Sequence, residues 1–174
     1  WLFQHCRLGA ECEAVGTEEI QIASEHCFAL WSVTGTLYRA AGLLQQGRAS
    51  EALPELRQGI TAYIASGAEL ALPFYLSLLA EALQQSGLQD ESLSTIAEAL
   101  RYADKNEDLF QTAELHRQRG ELLLALAPDR ATEAESCFQT SLNIARQQHS
   151  QAWQLRTTTS LARLWHTQGQ TDRA

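Results

Sequence analysis

AELHRQRGELLLAL, residues 113–126, followed after a short break by EAESCFQTSLNIARQQ, residues 133–148, decides the fold of this chain. Leu115, Leu122, Leu123 and Leu126 recur three and four apart, the spacing of an amphipathic helix. The second stretch carries a similar stripe, and Ala127 with Pro128 separates the two. Proline lacks a backbone donor, and it is tolerated just past a helix end. The pair therefore predicts helix, turn, helix.

Working outward, the same unit echoes along the chain with a step of about forty residues. Phe3, Leu43, Leu83, Leu123 and Trp165 form a bulky column, and Ile20, Ile60, Leu100 and Leu142 form another. Ala40, Ala80, Gly120 and Ala162 form a small-residue column where helices are expected to approach closely. Breaks at Arg7, Gly47, Gly87, Ala127–Pro128 and Gly169 share the step, with one two-residue insertion between Pro128 and Thr132. A repeat of that length reads as stacked helix pairs, each burying a face on its neighbour. The expected fold is all-α, a right-handed α–α superhelix with a partial repeat over 1–26, repeats over 27–66, 67–106 and 107–149, and a partial repeat over 150–174. Expected helices run over 1–6, 10–24, 27–46, 50–66, 71–86, 90–105, 108–126, 132–148 and 151–168. Ser50, Asp90 and Thr132 are expected to cap the second helices, Thr132 with Glu135 as a capping box. Pro54 and Pro73 are expected near a first helical turn. Gly16 stands where Leu56, Ile96 and Phe138 stand in the other repeats, which predicts a loosely packed helix over 10–24.

Composition restricts function. The 174 residues are 45% hydrophobic and 20% charged, with a formal net charge of -8 at pH 7. Such a chain lacks the basic face that phosphate binding requires, so nucleic acid is not an expected partner. The four cysteines show no metal-ligand or disulfide-framework spacing, which points to reduced thiols in the cytoplasm. No apolar run is long enough to span a bilayer. The pairs His5–Cys6 and His26–Cys27 are adjacent residues, about 100° apart on a helix, and do not form a metal site. No metal, cofactor or catalytic set is expected, and the chain is read as an excised piece of a longer protein.

The order Gly120, Leu123, Ala134 and Phe138 resembles the small, large, small, large packing residues of tetratricopeptide repeats. Together with LRTTTSLARLWHTQG, residues 155–169, the helical stretches quoted above are similar to C-terminal repeats of bacterial MalT-like regulators. They also resemble those of predicted-ATPase proteins carrying class III adenylyl or guanylyl cyclase domains. That resemblance implies a sensor or interaction arm governing an adjacent domain. It carries no nucleotide chemistry here, since no GxxxxGK[ST] occurs. The expected function is a non-catalytic interaction or regulatory domain of a larger signalling protein. The alternative is a sensor for a short peptide or small molecule.

Such arrays hold partners on the concave side lined by first helices. The expected groove residues are Thr34, Leu37, Ala41 and Leu44; Phe74, Ser77, Glu81 and Gln84; Glu114, Arg117, Glu121 and Leu124; and Arg156, Thr159, Arg163 and His166. Arg117, Arg156 and Arg163 suit a partner carboxylate, or else pair with Glu81, Glu114 and Glu121. The last helix, with Trp153, Leu155, Leu161, Leu164 and Trp165, is expected to leave an apolar stripe open for a homodimer.

Overall fold

The computed structural model describes residues 7–170 and 172. The expected helix over 1–6, with Phe3 and the pair His5–Cys6, lies outside the described residues. Within them there are eight α-helices and no strand: α1 (Gly9–Glu25), α2 (Ala29–Gln45), α3 (Ala49–Ala65), α4 (Leu72–Gln85), α5 (Gln89–Asn106), α6 (Thr112–Leu126), α7 (Ala131–Gln147) and α8 (Gln151–Thr167). A 3-10 turn, Pro128–Arg130, takes up the two-residue insertion. The chain divides into two compact units, Trp1–Leu88 and Gln89–Ala174.

The helices stop on a regular beat. Arg7, Cys27, Gly47, Gly67, Gly87 and Glu107 all have positive φ at twenty-residue steps, and His149 and Gly169 resume the series after the insertion. A left-handed residue past a helix end turns the next amide back onto the last turn. Arg48 N–H accordingly donates to the Leu43 carbonyl at 3.0 Å, Leu88 to Leu83 at 2.9 Å and Ser150 to Ala145 at 2.9 Å. Four of the eight positions are glycine, which adopts this conformation without a Cβ clash.

The N-termini differ from expectation. No side-chain cap bond forms at Arg48 or Arg130, the residues that precede α3 and α7. Ser50, Asp90 and Thr132 sit inside the first turns of α3, α5 and α7 rather than at their caps. The Glu135 carboxylate of the expected capping box accepts from Trp165 Nε1 at 3.0 Å. At α3 and α5 the helix starts two residues after left-handed Gly47 and Gly87, and at α7 it follows directly on the 3-10 turn, so the capping residue is already helical in each. Pro73 is at the start of α4, but Pro54 lies inside α3, beyond the positions where a missing donor costs least.

In the first unit, α1 packs antiparallel on α2 through four glycines. A Cβ added at Gly16 would lie 2.8 Å from the Gly35 carbonyl oxygen, and one at Gly42 would lie 2.7 Å from that of Gly9. Gly16 is thus a point of backbone approach, and the expected loose packing of α1 is corrected. Leu37 covers Gly59 of α3, with Leu44, Leu56, Ile60 and Leu83 also buried. Tyr75 of α4 sets its ring edge-on to Tyr63 at 5.1 Å and Tyr38 at 6.4 Å.

In the second unit, Phe138 of α7 lies over Gly120 of α6, where a Cβ would meet the ring Cδ1 at 2.8 Å. Leu123, Ala134, Leu142, Leu161 and Leu164 complete that core. Every one of the packing residues Gly120, Leu123, Ala134 and Phe138 is buried, as their spacing predicted. Ser141 and Thr157 bury their hydroxyls against each other at 2.7 Å, satisfying both where α7 meets α8.

Candidate functional site

The expected groove residues separate into two groups. Leu37, Leu44, Phe74 and Ser77 are buried among the helices of the first unit, and Ser77 Oγ donates to the Phe74 carbonyl at 2.8 Å. They offer no surface to a partner, which corrects their assignment to an open apolar groove. The period that marks first helices also marks the side that packs on neighbouring helices, and sequence spacing cannot distinguish the two. Ala41 is buried as well, whereas Thr34 is half-buried and donates to Glu19 Oε1 at 2.6 Å. Glu81 lies 3.7 Å from the Arg7 guanidinium, and Gln84 is half-buried.

The charged group does come together, on α6 and α8. Glu114 is only 2% exposed, yet one of its oxygens lies 2.8 Å from both Arg117 and Arg156. Arg117 Nε donates to the other oxygen at 2.9 Å, making a two-bond fork. Arg117 also reaches Glu121 at 3.2 Å, and Ser160 Oγ of α8 donates to that same Glu121 oxygen at 2.5 Å. Arg156 stacks over the Trp153 ring at 5.3 Å. Positions one helical turn apart on α6 place Glu114, Arg117 and Glu121 on one face, and α8 supplies Arg156 and Ser160 opposite. These guanidinium groups hold the unit's own carboxylates, the pairing weighed against a partner's carboxylate. Arg163, Thr159 and His166 are exposed on α8, and Leu124 is half-buried.

The apolar stripe of α8 is mostly closed. Trp153, Leu161 and Leu164 are buried, Trp165 is half-buried, and Leu155 alone of the five is exposed, at 71%. Of the stripe expected to serve a homodimer, Leu155 and part of Trp165 stand at the surface.

An opening not foreseen from sequence lies in the first unit, where α1 meets the start of α2. Val15, Glu18, Ile22, Phe28 and Trp31 line a groove of about 610 Å³, together with Glu19 and Tyr38. Trp31 is 61% exposed, and Val15, Ile22 and Phe28 are all exposed. His26 stacks on Phe28 at 5.7 Å beside the groove, so its ring packs on an aromatic neighbour. The walls of the groove come from large side chains of α1 and of the start of α2, while the glycine seam closes another side of α1 onto α2. The signal available in sequence was Val15 and Ile22, seven apart on a helix that already had a glycine seam.

A second, smaller cavity of about 250 Å³ lies between α6 and α7, lined by His116, Arg119, Glu133, Ser136 and Cys137 among others. Burial holds the His116 imidazole below its ordinary pKa, and Arg119 adds to that shift while Asp104 opposes it. Burial raises the Cys137 thiol above its ordinary value.

Comparison of the chain with protein-family models, with curated proteins and with solved structures finds no match. Among the described residues no helix is long and apolar enough to cross a membrane.

Proposed function

We propose that this chain is a non-catalytic interaction or regulatory repeat domain that binds a partner protein or peptide, and that its binding surface is the α1–α2 groove. The finer reading of the fold, a right-handed tetratricopeptide-like superhelix with a period near forty, belongs to the same proposal. So do a cytoplasmic location and a role as an arm of a larger bacterial signalling protein. The observation that carries the binding reading is the exposure of Val15, Ile22, Phe28 and Trp31 around one opening. Contiguous exposed apolar surface of this kind marks an interaction site, whereas single exposed apolar residues do not. The beat of left-handed turns and the burial of Ala40, Ala80 and Gly120 and of Leu43, Leu83 and Leu123 support the repeat reading.

Selection of peptides from a random display library against the whole chain, with counter-selection on an I22D/W31S variant, tests it. Enriched peptides are expected to bind the wild-type chain and to lose at least tenfold in affinity on the variant. Equal binding to both would remove the groove from the proposal. The sensor reading, for a short peptide or small molecule, draws support from the groove volume, which falls in the range of small-ligand sites. A melting-temperature screen separates it, since a small ligand that binds the folded state raises the midpoint by an amount that grows with the logarithm of its concentration over Kd.

A further inference from the structure

α1 has two unlike faces. One is closed on α2 through Gly9 and Gly16. The other is open and carries Leu8, Val15 and Ile22, seven residues apart and all exposed. Between them stand Glu11, Glu18 and Glu25, also exposed and also seven apart. Seven residues make two helical turns less about 20°, so the six positions form one stripe, apolar and acidic in alternation. In heptad terms the apolar residues occupy one seam position and the carboxylates the other.

The charge on this face is one-sided. α1 holds five glutamates and no lysine, arginine or histidine. Glu13 is paired, with Arg48 at 3.1 Å, but it sits on the side toward α2. Glu25 accepts from Gln21 Nε2 at 3.1 Å, which leaves its charge uncompensated. Glu11 and Glu18 have no ion pair among the described residues. At its C-terminal end the stripe runs into the groove beside Phe28 and Trp31.

Building on the groove reading above, we infer that this face docks an amphipathic helix of a partner protein that bears apolar residues at heptad spacing and lysine or arginine at the interleaved positions. Apolar seam residues supply the buried area, and the carboxylates select the sign of the partner. A second copy of α1 is disfavoured, because it would set Glu11, Glu18 and Glu25 against their own kind. An acidic lipid or nucleic-acid surface is disfavoured for the same reason.

The test uses the whole chain and a labelled 21-residue helical peptide of three heptads, leucine at the first position and lysine at the fourth, read by fluorescence anisotropy. A matched peptide carries glutamate in place of lysine. The lysine peptide is expected to bind at least tenfold tighter, with the difference shrinking as salt is raised. The E11K/E18K/E25K variant is expected to reverse the preference, and V15D/I22D to abolish binding of both peptides. All five positions are exposed, so circular dichroism should show the fold retained. D104K/E107K/D129K, which changes the net charge equally elsewhere, should leave the lysine peptide bound as before. Equal binding of both peptides, lost in V15D/I22D, would overturn the basic partner and keep the groove. Loss of the lysine peptide in D104K/E107K/D129K would overturn the inference as general attraction. No binding by either peptide would sink groove and partner together. A wild-type dimer dissolved by V15D/I22D would make a second copy the occupant.

Discussion

The Glu114 carboxylate lies 2.8 Å from the Arg156 guanidinium, joining α6 to α8 through a charge that is almost wholly buried. Removing one partner of a buried pair costs about 3–5 kcal/mol when the other is stranded. The two ends of this contact are unequal. Glu114 also neutralises Arg117, whose side chain is largely buried, whereas Arg156 is about a third exposed and water screens it. Glu114→Ala is therefore expected to destabilise the second unit by about 2 kcal/mol, Glu121 still pairing with Arg117, and Arg156→Ala by about 1 kcal/mol, since Arg117 still holds the carboxylate. Urea denaturation of the two variants measures both. Equal losses would mean that Arg117 and Arg156 share Glu114 evenly.

The glycine seam makes a sharper prediction. Alanine is a better helix former than glycine by about 1 kcal/mol, so Gly16→Ala on an isolated α1 would stabilise it. In this unit the new methyl would strike the backbone at Gly35 and Arg39, and α2 would have to move away. Overpacking of this kind costs about 1–3 kcal/mol, and backbone neighbours yield less readily than side chains. Gly16→Ala and Gly42→Ala are both expected to lower the melting temperature, and the double variant to lose less than the sum, because one shift of α2 relieves both clashes. A rise in melting temperature for either single variant would contradict the seam.

What the sequence disclosed follows from which interactions are local. The helical class and the positions of the helices were legible because apolar periodicity, glycine turns and the break at Pro128 act within a few residues. The burial of Leu123, Ala134 and Phe138 was legible for the same reason. The solvent side was not: Phe74 shares a column with Thr34 and Arg156, and Leu37 shares one with Arg117 and Thr159, and only the packed helices show that Phe74 and Leu37 are buried. Gly16 was misread because a missing side chain looks like a void until the facing helix is known to bring Gly35 to the same spot. The α1–α2 groove was hidden for a like reason, since it needs Val15 and Ile22 of α1 to meet Phe28 and Trp31 in space.

The twenty-residue beat of left-handed turns also separates positions that are at ease from positions under strain. His149 holds φ at 53° with a side chain, where Gly47, Gly87 and Gly169 hold the same place without one. The left-handed conformation costs a non-glycine residue about 1–2 kcal/mol. His149→Gly is expected to recover roughly 1 kcal/mol of that, part being returned through the freer unfolded chain. Glu107→Gly is expected to behave alike. Thermal denaturation of the single variants checks both, and a loss of stability in each would show that the side chains make contacts outweighing the backbone strain.

Stability should also depend on pH through His116. Burial beside Arg119 lowers its pKa in the folded chain below the ordinary 6.5. The unfolded chain therefore takes up a proton at a higher pH than the folded one does. Above 6.5 both states are neutral and the folded state bears no penalty. As pH falls below that value the unfolded state gains protons first, and stability declines until the folded-state pKa is passed. His116→Gln removes this limb, so the wild-type and variant curves of stability against pH should run parallel above about 7 and converge or cross below 6. Parallel curves throughout would mean that the imidazole is hydrated and that the cavity between α6 and α7 does not exclude its charge.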